Sequence, residues 1–267
     1  MSETKTKKWQ RSLAVALTFV PLMLAVMISI GAAEERAVET GTADLWMDML
    51  IGPPLVPFFN SEARDDDMAR VDHPTQVGQL AGITTGRKLV VFKSLAEAEQ
   101  YLPLMADQID IAGYNLEHGP VTPPEEQADP VGSIQEMRAL ADNYGLDLAF
   151  GPDHDFALSH GPAMAPYVDY FVLQIQRQQT NPPVVQEFVT TIVPQLRDAN
   201  PDLQISAQVR TEGDVQAIVA LIDSLLPYLD GVSILTSPAT VEIAKELVLA
   251  LRAGPTYQVY FPQVLGE

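Results

Sequence analysis

From residue 88 onward the chain alternates between short apolar runs and amphipathic stretches. The runs occupy 89–92, 109–116, 146–151, 168–176, 203–209, 231–236 and 257–261. Brief aliphatic runs without strict polar alternation are what a parallel strand covered on both faces requires. Between them the pattern predicts helices near 94–106, 131–144, 182–198, 213–229 and 238–252, with a shorter one near 160–167. Val215, Ile218, Val219, Ile222, Leu225, Leu226 and Leu229 recur at helical spacing. Asn181-Pro182 and Ser237-Pro238 supply N-cap and first-turn signals, and Gly254 follows the last helix as a stop.

Strands that alternate with helices form a parallel sheet of βα units. At 267 residues the natural closure is an α/β (β/α)8 TIM-type barrel, with an open doubly wound sheet as the alternative. The eighth strand is expected from 55–59 or 80–84, and the first strand is the least regular part of the pattern. Residues 34–87 carry little periodicity and many Pro, Gly and Asp residues, so they read as an extended lead-in to a barrel body at 88–267. No strand run is followed by Gly-x-Gly-x-x-Gly or a P-loop, so nucleotide binding finds no support.

Residues 1–33 read as a signal peptide or membrane anchor. Lys5, Lys7, Lys8 and Arg11 precede an uncharged apolar run at 12–30, and Gly31-Ala32-Ala33 offers a cleavage site. The expectation is export, with membrane contact only through 12–30 if that segment is retained. A net charge of −19 excludes nucleic acid as a partner, because phosphate binding needs a basic footprint. The absence of Cys excludes thiolate zinc sites and thiol nucleophiles. Asp65-Asp66-Asp67 reads as a solvated turn, since it lacks the alternating oxygen ligands and glycine of a calcium loop.

Strand parity locates the candidate site. Leu203, Ile205, Ala207 and Val209 share one face, and Gln204, Ser206, Gln208 and Arg210 the other. The apolar face meets helices, so the polar face looks into the barrel. Gln174 pairs in parity with Gln176, Gly113 with Asn115 and Glu117, and Gln258 with Tyr260. These polar residues fall at the C-terminal ends of strands, where barrels of this kind hold their sites. The expected ligand-binding set is Asn115, His154, Gln174, Gln176, Gln208, Arg210 and Tyr260. Its amides both donate and accept, which suits a carbohydrate or another polar small molecule.

Glu117 is the candidate general acid, with Asp153 or Asp155 as the second carboxylate of a glycosidase. Carboxyls about 5 Å apart would imply retention and wider spacing inversion. Asp153 reads equally as a helix N-cap, and Glu117 as a rim residue paired with Arg210. No Gly-x-Ser-x-Gly elbow supports a serine nucleophile. The strand ending Asp110-Ile111-Ala112-Gly113-Tyr114-Asn115-Leu116-Glu117 resembles the Asp-x-x-Asp-x-Asp-x-Glu signature of chitinase-like glycoside hydrolases. Asp110 and Glu117 match its ends, while Gly113 and Asn115 replace its middle acids. The resemblance implies Glu117 as proton donor and leaves Asn115 able to hold an acetamido group but not to carry charge.

Three functions follow: a barrel glycoside hydrolase, a carbohydrate-binding barrel without turnover, and a metal-dependent hydrolase or isomerase using Glu117, Asp153 and His154. The leading expectation needs no cofactor and no metal. Glu117, His118, Asp153, His154, Asp155 and His160 are the ligand pool for the third.

Overall fold

The computed structural model describes residues 41–254. The segment 1–33, the run 257–261 and Tyr260 lie outside them. Eight parallel strands close into a barrel in chain order: β1 (Trp46–Leu50), β2 (Met68–Val71), β3 (Arg87–Phe92), β4 (Ile111–Tyr114), β5 (Asp147–Phe150), β6 (Tyr170–Gln174), β7 (Gln204–Arg210) and β8 (Gly231–Leu235). Closure runs through β1 and β8, with Trp46 paired to Gly231 and Asp48 to Ser233. The outer layer is α1 (Val56–Glu62), α2 (Leu95–Met105), α3 (Pro124–Ala128), α4 (Pro130–Asn143), α5 (His154–Met164), α6 (Pro182–Ala199), α7 (Val215–Asp223) and α8 (Val241–Ala253). After β2 a 3-10 segment, Pro74–Gly82, takes the place of a helix. Among the described residues no helix is long and apolar enough to cross a membrane.

The barrel begins earlier than the pattern predicts. Its first two strands come from 46–50 and 68–71, inside the lead-in expected at 34–87, so the described part of that stretch belongs to the barrel. Neither nominated stretch is a strand: 55–59 falls in α1 and the turn before it, and 80–84 falls at the end of the 3-10 segment. The reason is physical. Asp48 and Arg70 stand in the middle of β1 and β2 and point into the barrel, where they neutralise each other. In isolation each breaks the apolar run that marks a buried strand.

Two other local readings shift. Helix α5 starts directly after Asp153, so 154–159 is helix rather than loop. Helix α8 is capped at Thr240, and Ser237-Pro238 form the turn before it, with Thr240 Oγ1 accepting from the Ser237 N–H at 3.0 Å. Asn181-Pro182 and Gly254 bound their helices as expected, Gly254 at φ 69. The acidic run divides: Asp65 and Asp66 are exposed, but Asp67 is buried. Asp67 accepts the Met47 and Arg64 backbone N–H groups, each at 2.7 Å, and pairs with Arg252 of α8. One carboxylate thereby ties β1, its own turn and the last helix together.

The main core lies between sheet and helices. Ile205, Ala207 and Val209 face it, together with Phe150, Phe171, Phe188 and Met137. A smaller apolar plug fills the barrel interior: Trp46, Met68, Leu89, Val91, Ile111 and Ala149, with Tyr170 against Trp46 edge to face at 5.6 Å. Most of these are the first or third residues of their strands, so the plug seals the N-terminal half. The polar residues of the same parity are left at the C-terminal mouth.

Candidate functional site

One arc of the mouth crosses the ends of β4, β5 and β6. Asn115 follows β4, and its Nδ2 donates to Glu117 Oε1 at 3.2 Å. Gly151 follows β5. A Cβ there would lie 2.8 Å from Asn115 Oδ1, so glycine makes room for the amide. Gln174 ends β6 and donates from Nε2 to the Gly151 carbonyl at 2.9 Å, and Gln176 donates in turn to Gln174 Oε1 at 3.1 Å. Gln176 Oε1 and Ser206 Oγ are buried with no partner among the described residues.

The second arc crosses β7, β8, β1 and β2. Gln208 Nε2 donates to Ser233 Oγ at 3.3 Å, and Ser233 Oγ donates to Asp48 Oδ2 at 2.7 Å. Arg70 Nε donates to Asp48 Oδ1 at 2.9 Å, and Nη1 pairs with Asp72. The Asp48 and Arg70 side chains are 3% and 4% exposed, so this is a buried ion pair. Burial pushes the Asp48 carboxyl up, against the pull of Arg70 and Ser233. Burial also opposes the Arg70 charge, but Asp48 and Asp72 outweigh it and the guanidinium stays ionised. Both arcs border a narrow pocket of ≈ 20 Å³ at the barrel axis, touched by Asp48, Arg70, Asn115 and Gln208.

A wider cavity of ≈ 360 Å³ opens on the rim between β4, β5 and β6, lined by His118, Asp153, His154, Asp155, Gln174 and Arg177 among others. Asp153 Oδ2 accepts the His118 backbone N–H at 2.8 Å, which fastens the loop after β4 to the start of α5. His118 Nε2 and Asp155 Oδ2 lie 2.5 Å apart, and the ring stacks on Phe156 at 4.3 Å. The hydrogen bond to Asp155 pushes the His118 imidazole up from its ordinary value. Burial works against the Asp155 charge, yet contact with His118 leaves its carboxyl below the usual range. His154 packs against Phe188 at 3.9 Å, and burial lowers its pKa.

The structure therefore brings Asn115 to Glu117, Gln174 to Gln176, and Asp153, His154 and Asp155 to one cavity. It joins Gln208 to residues not singled out from sequence: Asp48, Arg70, Asp72 and Ser233. Glu117 borders neither the pocket nor the rim cavity, and it meets the mouth through Asn115. Arg210 is exposed, its backbone N–H held by Gln179 Oε1 at 2.8 Å, and among the described residues it forms no ion pair with Glu117. Among the described residues, those with donors close enough to share a metal are His118, Asp153 and Asp155, whose ligand atoms lie within 4.8 Å of one another. This set replaces the expected Glu117, Asp153 and His154. A divalent ion there would have to part the His118–Asp155 hydrogen bond.

No family model matches the chain, and no curated protein matches it. Among solved structures, a putative phosphonomutase from Burkholderia cenocepacia shares 12% identity over 80% of this chain and 94% of its own, with a TM-score of 0.52. A 3-keto-L-gulonate-6-phosphate decarboxylase from Vibrio cholerae shares 9% over 79% and 99%, with a TM-score of 0.47. For a truncated 3-deoxy-D-arabino-heptulosonate 7-phosphate synthase from Thermotoga maritima the values are 9% over 55% of this chain, and a TM-score of 0.37. The chain spans 48% of that last protein. The chain is a (β/α)8 barrel. At these identities the likeness extends to the fold alone. The resemblance carried by Asp110 and Glu117 is matched by the structure at the level of the barrel.

Proposed function

We propose that the barrel mouth binds a neutral polyhydroxylated ligand of the carbohydrate class. The observation that carries this reading is the hydrogen-bonded run of amides, Gln176 to Gln174 to Gly151, beside Asn115 and opposite Gln208. Side-chain amides offer a donor and an acceptor each, matching the alternating roles of sugar hydroxyls. The chain's net charge of −19 suits an uncharged ligand better than an acidic one. Export, supported by the residue pattern at 1–33, would place the site among extracellular glycans.

A second reading adds hydrolysis, with Glu117 donating a proton to the glycosidic oxygen. It is favoured by the position of Glu117: half-buried just beyond a barrel strand, with Oε1 held by Asn115 and Oε2 without a partner among the described residues. Asp153 is a poor second carboxylate, because its Oδ2 is committed to the His118 backbone.

The test is binding and release of reducing ends by the full-length chain with cellotetraose, xylotetraose and chitotetraose, beside Glu117→Gln. Binding of at least one tetrasaccharide supports the first reading, and none overturns it. Turnover lost in Glu117→Gln with binding retained supports the second. Binding without turnover in the wild type overturns it.

A further inference from the structure

We infer that Arg70 forms a seat at the barrel axis for a single uncharged oxygen of the ligand, a hydroxyl or carbonyl, and so admits a neutral group in preference to a phosphate or carboxylate. The inference rests on the mouth being the ligand site. Guanidinium carries five N–H donors in a fixed plane. In Arg70 the protein uses Nε on Asp48 and Nη1 on Asp72, but Nη2 is buried with no partner among the described residues. A buried charged donor left unmatched is unfavourable, so an oxygen from outside the protein is its natural complement.

The space admits an oxygen of that size. The pocket that Arg70 lines has a volume of ≈ 20 Å³, enough for a water-sized group. Gly113 belongs to its wall, where a Cβ would come within 3.0 Å of Val91 and 3.1 Å of Leu89. Asn115 and Gln208 border the same space and supply acceptors for a hydroxyl proton.

Charge decides what kind of oxygen enters. Among the described residues Arg70 is the sole cation bordering the pocket, and Asp48 and Asp72 already pair with it from two sides. A phosphate or carboxylate would add a further negative charge beside two carboxylates in a desolvated space, which like-charge repulsion opposes. A hydroxyl or carbonyl takes the Nη2 hydrogen bond without that repulsion.

The test follows the Arg70 side-chain signal by NMR in full-length protein carrying isotope-labelled arginine, assigned by its loss in Arg70→Lys. The probes are glycerol, glycerol 3-phosphate and inorganic phosphate at matched concentrations. A saturable shift with glycerol, and none with inorganic phosphate, is expected; glycerol 3-phosphate, which carries hydroxyls as well as a phosphate, should act no more strongly than glycerol. A response to inorganic phosphate, a stronger one to glycerol 3-phosphate than to glycerol, or none to glycerol, overturns the seat. In parallel, Asp48→Asn/Arg70→Gln removes the seat without stranding a lone buried carboxylate. It should lower affinity for a bound tetrasaccharide by about tenfold or more, with a cooperative melt retained. A shift with glycerol but no tetrasaccharide binding would remove the carbohydrate reading and leave the seat. A bound tetrasaccharide that leaves the Arg70 signal unmoved would remove the seat and leave that reading.

Discussion

Substituting Asp48 by Ala tests the central electrostatic claim about the barrel. Asp48 accepts from Arg70 Nε at 2.9 Å and from Ser233 Oγ at 2.7 Å, and both members of the ion pair are at most 4% exposed. Removing it strands most of the Arg70 charge in the interior, with the half-exposed Asp72 as its remaining partner. Breaking a buried pair by deleting one member costs about 3–5 kcal/mol, because the surviving charge keeps its desolvation penalty. Against a domain stability of about 5–15 kcal/mol, that is a large fraction. Replacing both members, Asp48→Leu with Arg70→Met, removes the charges together and should recover stability to within about 1 kcal/mol of the wild type. Urea unfolding of the full-length chain, read as the shift in midpoint at constant m, measures both changes. A loss under about 1 kcal/mol for Asp48→Ala would refute the reasoning. So would a double variant as unstable as the sum of the single ones.

Gly231→Ala should destabilise by about 1–3 kcal/mol, since a Cβ there would fall 2.2 Å from the Trp46 ring inside a closed barrel; the midpoint of thermal melting checks it. His118 and His154 should titrate on opposite sides of 6.5 in NMR pH titrations, and Asp155→Asn should remove the upward displacement of His118 while leaving His154 low. The linkage signs differ accordingly. The His118 contribution to stability is full below 6.5 and lost as pH rises through its folded value, whereas that of His154 is full above 6.5 and lost as pH falls through its own. Asp67→Ala should loosen the junction of β1 with α8, seen as faster amide exchange at Met47 and a lower melting temperature, because its carboxylate holds that N–H at 2.7 Å.

Periodicity served well wherever strand and helix each followed a single rule. Residues from 88 onward obey the two-sided burial of a parallel strand or the stripe of an amphipathic helix, so six of the eight strands were legible. Parity alone separates Ser206 and Gln208 from Ile205, Ala207 and Val209, as the structure does. The same rule hid β1 and β2. Their inward residues include Asp48 and Arg70, which are acceptable inside a barrel only as partners, and no local pattern announces a partner 22 residues away. Amide residues were legible as lumen-facing for the same reason that these two were not: neutral polar groups interrupt an apolar run less.

The amino-acid sequence by itself determined the alternation of strand and helix, the face each strand turns inward, and the gathering of amides at the C-terminal mouth. Those are properties of local spacing and of the pleat. Tertiary structure decided where the barrel closes, which charges neutralise each other, and which carboxylates are committed to donors within the protein. Asp153 and Asp67 illustrate the distinction. Asp67 reads as part of a solvated turn and Asp153 as a catalytic carboxylate or a helix N-cap, yet in the fold each is buried with a backbone N–H from another segment on its oxygens. Whether a charge is free or committed depends on donors contributed from elsewhere in the chain, and closure of the sheet is what assembles them.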